Sequence, residues 1–172
     1  MKVAGVIVAL LVALALQSTI AGLRIGGTTA VNLVLVVVVY GALSFGAAGG
    51  LVIGTVGGLF QDALAGGIIG IGGFAKTLVG FLVGWLGAQF IVSQPLSRFV
   101  MFVAATILHE ACTQALYAVV ESRGFRLPYS VTLTQALVNA LVGVVAFQFV
   151  ERGPQVLARR RARSGSLGRR HF

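Results

Sequence analysis

"GGLFQDALAGGIIGIGGFAKTLVG", residues 57–80, consists almost wholly of glycine and apolar side chains, yet it holds one carboxylate, Asp62, and one ammonium, Lys76. The run from residue 31 to residue 61 is uncharged. The dense glycines between the two charges, Gly66, Gly67 and Gly70, mark a turn or unwound hinge. If the chain reverses near Ile69, Asp62 and Lys76 stand seven residues on either side of the bend. A hairpin would then bring them to the same depth, whereas one continuous helix would hold them about 21 Å apart at 1.5 Å per residue. The residues equally allow Lys76 to snorkel to an interface while Asp62 ends a helix in water.

The surroundings of this stretch define its solvent. The chain has 172 residues, 58% hydrophobic and 10% charged, with mean hydropathy +0.99. Soluble domains carry about 25% charged residues, so lipid is the solvent that this surface requires. Six apolar segments can be drawn, at about residues 3–23, 30–44, 47–61, 72–92, 96–120 and 131–150. The two segments between 30 and 61 come from one run, too long for a single span and short for two, divided at "FGAAGG", residues 45–50. Merging them would give five spans instead of six. Residues 1–151 therefore read as one all-α, polytopic membrane domain, and residues 152–172 as a basic, disordered tail.

Charge placement orients the domain. Arg152, Arg159, Arg160, Arg161, Arg163, Arg169 and Arg170 all follow the last apolar segment. Basic residues beside a span favour the cytoplasmic side, where they can touch anionic lipid headgroups. With six spans both ends are cytoplasmic, and the connections near 24, 63–71 and 121–130 lie outside. This topology accounts for the arginines without nucleic acid, and no interleaved aromatics offer base stacking.

Glycine spacing indicates helix contact. Gly46, Gly50, Gly54 and Gly58 recur every four residues, and Asp62 continues the phase. They share nearly one helix face, which suits a backbone-to-backbone contact in lipid, with another helix of the chain or with a partner. Gly80 and Gly84 repeat the spacing in the next segment. Among the remaining intramembrane polar groups, His109 and Glu110 lie midway along the fifth segment, with Gln114 four residues beyond Glu110. Gln135 and Asn139 have the same spacing in the sixth. The bland reading is a polar knot fastening the last two helices, and the sharper one is a proton or ligand site. Gln17, Ser18 and Thr19 at the end of the first segment should face protein. Cys112 is alone; no metal-ligand spacing and no nucleophile–base pair is visible, so neither cofactor nor catalysis is expected.

The central stretch resembles a known family. "VNLVLVVVVYGALSFG" followed by "GLVIGTVGGLFQDALAGGIIGIGGFAKTLVGFLVGWLG" is similar to the bacterial rod shape-determining protein MreD. The matching positions are Asn32, Gly54, Gly58, Asp62, Gly66, Gly70, Lys76, Gly80 and Gly84; the family's proline before the second helix is Val31 here. The resemblance implies an inner-membrane scaffold or regulator of the elongation machinery. Its implied partners are the single-span protein MreC, the glycosyltransferase RodA, a class B penicillin-binding transpeptidase and the MreB cytoskeleton. It also implies a fold like the six-helix substrate-binding subunits of ECF vitamin transporters, and such a subunit is the alternative function. No reaction or cofactor is implied.

Overall fold

The computed structural model describes residues 2–20, 24–25, 28–29, 31–90, 92, 94–122 and 124–167, with side chains placed for 3–19, 31–90, 92, 94–122 and 124–150. Five helices follow in chain order: α1 (Lys2–Ile20), α2 (Leu33–Ala65), α3 (Ile71–Gln89), α4 (Pro95–Val120) and α5 (Tyr129–Leu167). A two-residue antiparallel ladder, β1 (Arg24–Ile25) with β2 (Thr28–Thr29), joins α1 to α2.

The count of helices differs from six because residues 33–65 run as one element with no loop inside it. The expected break nevertheless has a structural counterpart. Gly46 leaves the helical region, with φ 76° and ψ −169°, a conformation that an L side chain adopts only under strain. Beyond it the element doubles back on itself. A Cβ at Gly41 would strike Ile53, one at Gly50 would lie 2.7 Å from the Cβ of Ala42, and one at Gly57 would lie 3.2 Å from Val34. In a continuous helix, residues twelve apart would be separated by about 18 Å. Two limbs, 33–45 and 47–65, therefore lie antiparallel about Gly46.

The first limb is the centre of the molecule. Val34 and Val38 pack against Leu10, Ala13 and Leu14 of α1. Leu35, Val36, Val39 and Ala42 pack on Val79 and Val83 of α3, Phe102 and Ala105 of α4 and Ala140 of α5. Neighbours on every side explain why this limb has no polar face. The outside is apolar as well: Ile7, Leu11, Phe60, Phe74, Leu133, Leu137, Leu141 and Phe149 are exposed. Such a surface belongs in lipid. By length and composition, α2, α3, α4 and the Tyr129–Val150 part of α5 are long and apolar enough to cross a membrane; α1 contributes a shorter apolar helix, Val3–Thr19.

The last helix continues to Leu167, so the basic segment is helical where the sequence suggested disorder. Its Arg, Ala and Leu residues are good helix formers. Arg169, Arg170 and His171 lie outside the described residues.

Candidate functional site

Two constructions hold the polar and glycine residues singled out above. The first is the seam between the second limb of α2 and α3. These segments run antiparallel, with Gly50 against Gly80, Gly54 against the backbone of Lys76 and Thr77, and Gly58 against Gly73; a Cβ at any of the three would collide with backbone. Gly84 extends the seam onto the backbone of Gly46 and Ala47. Close approach of this kind is what small residues permit in lipid. A hydroxyl pair crosses the same seam, Thr55 Oγ1 to Thr77 Oγ1 at 2.8 Å. The glycine ladder thus seats another helix of its own chain.

The turn beyond the seam uses Gly66 and Gly70 in left-handed conformations, φ 67° and 107°; Gly67 lies beside the hydroxyl of Tyr117. Here the structure corrects the placement of the two charges. Asp62 Oδ2 accepts hydrogen bonds from the backbone N–H groups of Gly70, at 2.9 Å, and Gly73, at 3.0 Å. Gly70 has no side chain with which to cap α3, so Asp62 reaches across the turn to satisfy the free donors of that helix end. Lys76 packs its backbone two turns deeper, against Gly54. The reversal falls before Ile69, so the two charges do not sit at matching depth. Lys76 is 2% exposed, and it interacts electrostatically with both Asp62 and Glu110.

The second construction surrounds the start of α2. Asn32 is its N-cap, with Oδ1 accepting from Leu35 N–H at 3.1 Å. The backbone N–H of Asn32 donates to Asn139 Oδ1 on α5 at 2.9 Å, and its side-chain Nδ2 meets His109 Nε2 on α4 at 3.3 Å. Asn139 Nδ2 then donates to Thr106 Oγ1 at 3.3 Å. From α1, Gln17 accepts from Leu33 N–H at 2.9 Å and donates to the Val31 carbonyl at 2.8 Å. Three other helices therefore converge on the start of α2: side chains from α5 and α1 take up the backbone donors of Asn32 and Leu33, Asn32 caps Leu35 itself, and α4 meets the Asn32 side chain through His109.

Two residues of the expected knot, His109 and Asn139, take part in this hub. Asn139 reaches Asn32 and Thr106 rather than Gln114, which is half-buried. Glu110 and Gln135 are buried beside the hub. Ser18 and Thr19, unlike Gln17, are exposed and donate to the Ala15 carbonyl of their own helix. Asn32 entered the sequence reading only through the family pattern. A lone Asn before an apolar run is a helix-start signal, and that signal was available. Arg98 is a further residue that no spacing pattern singles out. It is buried, with its guanidinium 3.9 Å from the Phe147 ring centre and Nε donating to the Val92 carbonyl at 3.2 Å, while Phe147 meets Tyr40 edge to face.

Among the described residues no three His, Cys, Asp or Glu side chains converge as a metal site. Cys112 is half-buried and free. Chemically, the hub can order helices and hold polar groups in lipid, and nothing in it pairs a nucleophile with a base.

Apolar surface, glycine seam and buried polar hub together define a multi-pass α-helical membrane protein organised around the N-terminus of α2. Residues 1–152 match the family model of the rod shape-determining protein MreD. The chain belongs to that family, a shape-determining rather than an enzyme family, and its role lies in rod shape determination. No curated protein and no solved structure matches it.

Proposed function

We propose that this protein is an inner-membrane scaffold or regulator of lateral peptidoglycan synthesis that works by binding MreC, and through it RodA, a class B penicillin-binding transpeptidase and MreB. Family membership supports the process. The observation that shapes the mechanism is the closed glycine seam: Gly50, Gly54 and Gly58 are already covered by α3. A partner helix is therefore received on an outward apolar face. The second limb of α2 offers one in Leu51, Val52, Val56, Leu59 and Phe60, all exposed. In this reading both limbs of α2 cross the bilayer, giving six crossings and a cytoplasmic C-terminus, as in the substrate-binding subunits of ECF transporters. The basic segment from residue 152 onward touches anionic lipid or MreB.

Site-specific photocrosslinking in membranes tests this. Probes at Val52, Val56 and Phe60 should yield MreC adducts, and a probe at the buried Val38 should not. Absence of MreC adducts from every outward position of α2 would remove this limb as the docking face.

A further inference from the structure

The hydrogen-bond directions in the hub assign the tautomer of His109. Asn32 Oδ1 is committed as an acceptor from Leu35 N–H, so the group facing His109 Nε2 is the amide NH2. That group can only donate. Nε2 therefore accepts and carries no proton, which puts the ring proton on Nδ1. His109 is 4% exposed, and its Nδ1 has no hydrogen-bond partner among the described residues. Thr113 Oγ1 and Thr132 Oγ1 are among the other buried atoms in the same condition.

Register brings these three together. On the antiparallel pair α4 and α5, Arg98 meets Phe147, Phe102 meets Gly143, and Thr106 meets Asn139. Each step advances four residues on α4 and retreats four on α5. Keeping this register, His109 falls opposite Ala136 three residues beyond Thr106 and Thr113 opposite Thr132 seven beyond, with Glu110 opposite Gln135 between them. Thr113 also lies four residues from His109, on the same face of α4. Ala136, opposite His109 in this register, is fully buried and short. Lys76 from α3 and Glu110 from α4 are the charged groups nearby. One N–H donor and two hydroxyls, buried and converging, match the roughly three hydrogen bonds of a typical internal water.

We propose that an ordered water molecule is bound between α4 and α5, accepting from His109 Nδ1–H and hydrogen-bonded to the hydroxyls of Thr113 and Thr132. It links the seam between these helices to the Asn32 hub. The site is independent of which partners the protein binds.

The experiment is NMR on the full-length protein in lipid nanodiscs, 15N-labelled at histidine and carrying His171→Gln so that His109 alone is observed. The expected result is a ring protonated at Nδ1 whose proton shows a cross-peak to water. In the Thr113→Val, Thr132→Val double variant that cross-peak should disappear. Thr132→Ser, which keeps the hydroxyl, should retain it and serves where the double variant does not fold. A proton on Nε2, a cross-peak from Nδ1–H to a lipid or other organic ligand instead of water, or a water cross-peak that survives the double variant would each overturn the proposal.

Discussion

Asn139→Ala probes the hub most directly. The side chain is 0% exposed, and its Oδ1 accepts from the Asn32 backbone N–H. Truncation removes that acceptor and leaves the amide of the α2 N-cap buried without one, which costs about 1–3 kcal/mol. The second contact, to Thr106 at 3.3 Å, is an interhelical side-chain bond in lipid and contributes about 0.6 kcal/mol by the average of such pairs. The loss for Asn139→Ala should then be about 2–3 kcal/mol, and that for Thr106→Val less than half of it. Reversible unfolding in bicelles, or steric trapping, reads both, and the double variant gives their coupling. Equal losses for the two single variants, or a loss below about 0.5 kcal/mol for Asn139→Ala, would refute the claim that capping α2 is what this residue does.

The glycine seam predicts a contrast. Gly54→Ala places a methyl group on the Lys76 backbone and should lower stability by about 1–3 kcal/mol as overpacking, whereas Gly5→Ala meets nothing within 4 Å and should be neutral or stabilise by up to about 1 kcal/mol; thermal scans in detergent compare them. Asp62→Ala deletes the acceptor for Gly70 and Gly73 and should cost about 0.5–2 kcal/mol, as cap losses do. Its signature is faster amide exchange at residues 70–73. Arg98→Ala removes the stacking on Phe147, a contact contributing about 1–2 kcal/mol when desolvated. Arg98→Lys should recover only part of it, because the planar guanidinium is lost.

Much of this architecture is legible from residue spacing. A helix face with glycine at every fourth position must approach something closely, and α3 approaches it at Gly73, Lys76 and Gly80. The break in "FGAAGG" was visible as a glycine cluster, and Gly46 is where the helix doubles back. The charges were harder. Their sequence separation suggested matching depth, but depth depends on where the reversal falls, and several glycines compete for that position. Asp62 spends its hydrogen bonds on the backbone donors at the start of α3, at 2.9 and 3.0 Å.

Composition and spacing, by themselves, determined that this is a helical membrane protein with a turn at residues 66–70, a close-packed glycine face and buried polar groups on its last two helices. These follow from local physics: lipid excludes unpaired backbone polar groups, and glycine is the residue that tolerates both close approach and positive φ. Only the tertiary structure decided which buried groups meet. Asn32 and Asn139 are joined across 107 residues, and Asn32 and His109 across 77. No local pattern specifies such pairs, because each side chain has several acceptable partners. The packing of four helices on the first limb of α2 leaves it these.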